Sequence, residues 1–155
     1  MWPLYFGRAG ARERLNKWPA AQADFRLAKA AAPNQPNVLN ALGYALAVRG
    51  ENVDEALEML RTAVRLRPNS ASILDSLGWA QFKSGRYEEA VATLERAAGM
   101  NGSIAEISDH LGDAYWRTGR LQQARLEWGR ALRLVQTDVE KAALQQKITN
   151  GMAPL

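Results

Sequence analysis

The sequence predicts an all-α fold of helix-turn-helix repeats, stacked into an array and closed by a last helix. Three observations predict it. Leu-Gly recurs at Leu42-Gly43, Leu77-Gly78 and Leu111-Gly112, spaced by 35 and 34 residues. Alanine recurs in the same phase as Ala21, Ala56, Ala90 and Ala124, and again as Ala28, Ala63, Ala97 and Ala131, each series spaced 35, 34 and 34. A large apolar residue stands between the paired alanines every time: Phe25, Leu60, Leu94, Trp128. A period of this length marks a repeat architecture whose unit cannot bury its apolar face alone.

Each repeat reads as two helices. The first helices fall at about 2–15, 36–49, 71–84 and 105–118, and the second at about 18–31, 53–66, 87–99 and 121–135. Gly50, Gly85 and Gly119 stand where a first helix must stop, and glycine enters the left-handed region without a Cβ clash. Asn16 holds that place in the first repeat. Pro33 and Pro68 lie just past second helices, where proline blocks continuation. The single odd spacing lies between Gly50 and Ala56, in GENVDEA, whose counterparts GRYEEA and GRLQQA are one residue shorter. An insertion is tolerated in such a turn.

Small residues at the helix crossing let two antiparallel helices approach closely. Gly43, Gly78 and Gly112 supply them on the first helices, and Ala56, Ala90 and Ala124 on the second. Leu42, Leu77 and Leu111 then meet Leu60, Leu94 and Trp128 in the core. A last helix runs from Thr137 to Asn150, with Thr137 or Asp138 as cap and Glu140 in its first turn. Val139, Ala142, Ala143, Leu144 and Ile148 form its apolar stripe, as a terminal cap needs. Residues 2–136 thus hold four repeats (about 2–35, 36–70, 71–104 and 105–136), followed by the capping helix 137–150 and a tail, 151–155, expected to fray.

Composition narrows the function. The 155 residues are 47% apolar and 23% charged, so the chain can build a core and is not of the disordered class. It has no cysteine and one histidine, which excludes disulfide frameworks, thiol catalysis and multi-histidine metal centres. No stretch approaches the ~18 uninterrupted apolar residues of a membrane span. The opening MWPLYFGRAGAR lacks the pattern of a signal peptide. Trp2, Leu4, Tyr5 and Phe6 would lie exposed at the array's first edge. The chain therefore reads as the C-terminal piece of a longer array with upstream repeats, or as one whose edge pairs with a partner or a second copy.

The third repeat, ILDSLGWAQFKSGRYEEAVATLERA, the fourth, DHLGDAYWRTGRLQQARLEWGRAL, and the second, VLNALGYALAVRGENVDEALEMLRTAVRLRP, resemble the tetratricopeptide repeat (TPR). The first is degenerate: Arg8-Ala9 replaces Leu-Gly, while Ala21, Phe25, Ala28 and Pro33 fit. LGYALAVRGENVDEAL, LDSLGW and DHLGDAYWRTGR look more narrowly like the C-terminal TPR arrays of proteobacterial proteins. The resemblance implies a right-handed α-α superhelix, the TPR solenoid. It implies a bacterial non-catalytic scaffold or adaptor, not an enzyme, that binds a protein or peptide segment in a concave groove. It implies no cofactor, no metal and no small-molecule substrate. Compartment stays open between cytoplasm and periplasm, with a membrane tether if a longer chain carries a lipoprotein signal.

In such arrays the first helices line the concave face. The residues expected there include Asn40, Tyr44, Ser72, Asp75, Trp79, Phe82, Lys83, Glu106, Asp109, His110, Asp113, Trp116 and Arg117. Asn40, Asp75 and Asp109 recur at spacings of 35 and 34 as a polar ladder. Tyr44 matches Trp79, and Phe82 matches Trp116; aromatics often anchor interfaces. The plainer role of Trp79 and Tyr44 is packing between repeats, and that of Asp75 and Asp109 is stabilising helix starts. Tyr115 and Trp128 are core by pattern. The carboxylates at Asp75, Asp109 and Asp113 favour a partner segment carrying Lys or Arg. The family's clamp for chain-terminal carboxylates is absent, because Phe6, Gly10, Ala41, Ser72 and Ser76 stand at its places.

Two other readings carry less. Ser108, Asp109 and His110 are adjacent on a helix, point apart and cannot form a triad. Glu106, His110 and Asp113 share one face and could hold a metal ion; the plainer reading is a surface histidine between two acids. Residues 1–35 hold six Lys/Arg against two Asp/Glu, so Arg8, Arg12, Arg14, Lys17, Arg26 and Lys29 could form a basic patch. That patch would support weak nucleic-acid binding, but no aromatic surface is interleaved with it, which argues against nucleic acid as the partner.

Overall fold

The computed structural model describes every residue from Met1 to Leu155 and contains nine helices and no strand. They are α1 (Trp2–Arg14), α2 (Trp18–Ala31), α3 (Pro36–Arg49), α4 (Val53–Leu66), α5 (Ala71–Lys83), α6 (Tyr87–Met100), α7 (Ala105–Arg117), α8 (Leu121–Leu134) and α9 (Asp138–Asn150). The chain forms two compact units, Met1–Pro68 with α1 to α4 and Asn69–Leu155 with α5 to α9. In the first unit α1 packs on α2, α3 on α4, and α2 meets α3. In the second, α5 packs on α6 and α7 on α8, while α7 also meets α5 and α6, and α9 lies on α8.

The helices stop where backbone chemistry lets them. Gly50, Gly85 and Gly119 have φ of 68°, 80° and 80°, and Asn16 takes the same region at 56°. The inserted residue of the second repeat is accounted for by a further left-handed residue, Asn52 at φ 44°, immediately before α4. Asparagine enters this region at low cost for a residue with a Cβ.

Helix crossings follow the small residues. A Cβ on Gly43 would lie 2.9 Å from the Leu60 side chain, one on Gly78 2.6 Å from Leu94, and one on Gly112 2.5 Å from Trp128. Each glycine therefore admits the large residue of the facing second helix. Leu42, Leu60, Leu94 and Trp128 are fully buried, with Phe25 in the equivalent place of the first repeat. Tyr115 is buried as well, and its hydroxyl donates to Glu95 Oε1 at 2.7 Å. Burial and the nearby Glu95 charge push its pKa well above that of ordinary tyrosine.

The degenerate first repeat has its own solution. Arg8 donates from Nε and Nη2 to the two oxygens of Asp24 at 2.8 and 2.7 Å, and Arg12 adds a third bond at 2.7 Å. Asp24 is buried, so a bidentate ion pair joins α1 to α2 near the missing Leu-Gly. Arg26 and Lys29 of α2 reach Glu55 of α4 at 3.0 and 3.4 Å. Arg49 lies 4.0 Å over the Trp18 ring, whose N–H donates to Glu51 at 3.0 Å. These pairs correct the expectation of a free basic patch: Arg8, Arg12, Arg26 and Lys29 hold acids of their own unit.

Two edge expectations change. Leu4 is 69% exposed as expected, but Phe6 packs edge-on against Phe25 at 6.0 Å, and Trp2 packs on Phe6. On α9, Thr137 and Glu140 close a capping box, yet the apolar stripe narrows to Leu144 and Ile148, because Ala142 and Ala143 are exposed and Val139 is 81% exposed. At about 100° per residue it points some 140° away from buried Leu144, on the wet side.

Candidate functional site

In the second unit the first helices α5 and α7 bring four of the expected residues together. Trp79 stacks on Phe82, rings 6° apart with centroids at 4.7 Å, and on His110 of α7, 12° apart at 4.0 Å. His110 Nδ1 lies 2.8 Å from Asp75 Oδ1. Asp75, Phe82 and His110 are buried and Trp79 is half-buried, so this group forms much of the α5–α7 contact. His110 is thus not the surface histidine expected from its neighbours: the facing α5 covers it.

Asp109 and Asp113 turn to α9. Lys147 Nζ lies 2.7 Å from Asp109 Oδ1 and 2.8 Å from Asp113 Oδ1. Asp113 also accepts the Trp128 indole N–H at 2.9 Å. Burial raises the Asp113 pKa above the ordinary carboxylate value, and the Lys147 charge only partly offsets it. Burial pulls Lys147 the other way, but Asp113 and Asp109 outweigh it and raise its pKa. The trio expected on one face of α7 does not converge: Asp113 goes to Trp128 and Lys147, and Asp75 joins Glu106 and His110 instead.

Trp116 lies apart from the Trp79 stack. Its ring is 5.6 Å from Trp128, Arg125 sits 5.2 Å over it, and Gly151 presses its backbone on it. Arg117 donates to the Ala153 carbonyl at 2.8 Å, and Met152 packs against the core. The tail is therefore held along Trp116 and Arg117 and does not fray there. In the first unit Asn40 and Tyr44 sit half-buried on α3, and the Asn40 amide oxygen is buried with no hydrogen-bond partner.

Between α7 and α9 a pocket of about 450 Å³ opens. Glu106, Asp109, His110, Glu140 and Lys147 supply its polar lining, and Val135, Ala143 and Leu144 its apolar wall. Sequence reasoning missed the α9 contribution, because Lys147 lies outside the 34-residue period.

A family model described as tetratricopeptide repeat matches residues 6–73 and 76–139. The chain belongs to the TPR family. A TPR repeat-containing protein of Pseudomonas aeruginosa is 36% identical over 83 residues, which is 54% of this TPR chain and 14% of that protein. The chain thus corresponds to a small part of that relative's length. Among solved structures, MamA from Desulfovibrio magneticus RS-1 superposes with TM-score 0.77 at 23% identity, covering 95% of this chain and 81% of that one. Yeast Tom70 gives TM-score 0.77 at 19% identity, over 95% of this chain and 32% of that one. At these identities the likeness shows the fold, an all-α TPR solenoid. TPR proteins serve in general as protein-interaction scaffolds, and no helix of this one is long and apolar enough to cross a membrane.

Proposed function

We propose that this TPR chain is a non-catalytic scaffold that binds an extended peptide or protein segment in the groove lined by its first helices, and that the segment carries Lys or Arg. The observation that supports it most is the acid-rimmed pocket beside α7. Glu106, Asp109 and Glu140 line it with a single ammonium, Lys147, which Asp109 and Asp113 already hold, and Val135, Ala143 and Leu144 form its apolar wall. An aliphatic stem with a cationic tip fits such a lining, because it covers apolar surface and leaves its charge among carboxylates. Trp79, half-buried and stacked on Phe82 and His110, offers a rigid aromatic edge next to it. Asp75 and Asp113 are the buried supports of this face, and in the first unit Asn40 and Tyr44 hold the repeat positions equivalent to Asp75 and Trp79.

Selection from a random peptide display library tests this. Enriched sequences should carry Lys or Arg, and their binding should fall at least tenfold with Glu106→Gln plus Trp79→Ala. Neutral or acidic enriched sequences, or binding indifferent to both changes, would refute it.

A second reading has its own observation. Leu4 and Leu15 of the first hairpin are exposed, as an edge that associates with a partner or a second copy would leave them. Changing both to Glu should lower the mass seen by light scattering if the edge self-associates, and should leave peptide binding intact.

A further inference from the structure

The His110 ring is fixed from two directions. Asp75 Oδ1 accepts from Nδ1 at 2.8 Å, and Trp79 lies parallel to the ring at 4.0 Å. A carboxylate at Nδ1 keeps the proton on that nitrogen and leaves the lone pair on Nε2. Nε2 is not hydrogen-bonded: Glu106 Oε1, one turn earlier on α7, stands 3.9 Å away, beyond hydrogen-bond reach. His110 is only 7% exposed, yet it lines the α7–α9 pocket together with Glu106. The donor atoms of Asp75, Glu106 and His110 all lie within 4.8 Å of one another.

We propose that this is a site for a divalent transition cation, with Zn²⁺ as the reference ion. His110 Nε2 and Glu106 are its protein ligands, and Asp75 is the positioning residue behind the imidazole. Two ligands each about 2.0–2.2 Å from Zn²⁺ must lie within about 4.4 Å of one another, and the 3.9 Å separation satisfies this. Glu106 is exposed and can close the remaining distance by a side-chain rotation. An imidazole with a carboxylate selects the zinc, nickel and copper class over magnesium or calcium. The local charge favours a cation, because Lys147 is already engaged by Asp109 and Asp113 while Glu106 and Glu140 remain on the pocket lining. The other coordination positions face the open pocket, where water completes the shell. This site goes beyond the scaffold reading and does not depend on peptide binding.

Calorimetry with Zn²⁺ alone on the tag-free chain near neutral pH tests it, with visible absorption of the Co²⁺ form as the spectroscopic signature. The expected result is one saturable equivalent, lost in Glu106→Gln and in His110→Asn. Asp75→Asn should retain binding weakened about 10–100-fold, the effect of losing a carboxylate behind a ligating histidine. Glu106 is exposed, so Glu106→Gln keeps the fold and separates a lost ligand from lost structure; circular dichroism checks this. No saturable uptake at millimolar metal, or uptake equal in Glu106→Gln, overturns the proposal. Either result would leave His110 as a packing residue of the α5–α7 contact, held by Asp75 and Trp79.

Discussion

Lys147 holds Asp113 at 2.8 Å, and through it α9 is fastened to α7. Asp113 is buried, and Trp128 spends its indole N–H on the same oxygen. Lys147→Met removes the only cation bonded to this carboxylate and leaves Asp113 buried beside Asp109. Loss of one partner of a buried pair should cost about 1–3 kcal/mol near neutral pH. The sign with pH follows from the raised Asp113 pKa. Stability from its protonated form is complete below the ordinary carboxylate value and is lost as pH rises through the folded one. The variant's deficit should therefore shrink as pH falls towards 4, which denaturant unfolding at several pH values measures.

Asp24 carries the opposite sign. Its bidentate bond to Arg8 lowers its pKa, against the cost of burial, with Arg12 adding to the effect. Stability from such a group is present above the unfolded carboxylate value and is lost as pH falls through the folded one. Asp24→Asn should thus lower the melting temperature at neutral pH, and the gap to the parent should narrow in acid. A gap that widens in acid would contradict the pairing.

Glycines divide by what faces them. A Cβ on Gly112 would meet Trp128 at 2.5 Å and the Ala124 carbonyl at 3.1 Å, so Gly112→Ala should destabilise by about 1–3 kcal/mol through overpacking. Gly7, inside α1, has nothing within 4 Å of an added Cβ. Gly7→Ala should stabilise by roughly 0.5–1 kcal/mol, the helical preference of alanine over glycine. Thermal unfolding of the two variants side by side tests both signs.

Gly151 combines φ of 73° with close contact on the Trp116 ring. Any side chain there is strained and displaces the tail. Gly151→Ala should expose Trp116, seen as a red-shifted fluorescence and stronger iodide quenching, with little change in helix content.

The repeat frame was legible because one spacing organises stops, crossings and core at once. Gly50, Gly85 and Gly119 announce their turns, while Gly43, Gly78 and Gly112 face Leu60, Leu94 and Trp128, the residues that the pattern assigns to the neighbouring leucines. The contacts between faces were less legible. Asp75 and Asp109 share a repeat position, yet Asp75 meets His110 and Asp109 meets Lys147. Which neighbour each finds depends on the rotation of the facing helix, and periodicity does not encode it. The Arg8–Asp24 pair escaped for a related reason. A count of charges cannot tell a free arginine from one bonded to a buried acid 16 residues away. Val139 misled because α9 has a narrow apolar face, and a list of its apolar residues does not show their angles.

Amide and indole chemical-shift mapping, with a peptide selected from a display library, locates the bound segment residue by residue. The largest shifts should fall at Trp79, Asp109 and the residues of the α7–α9 pocket, with a smaller response at Trp116. Shifts confined to Leu126 on α8, or to Leu4 and Leu15 of the first hairpin, would contradict groove binding.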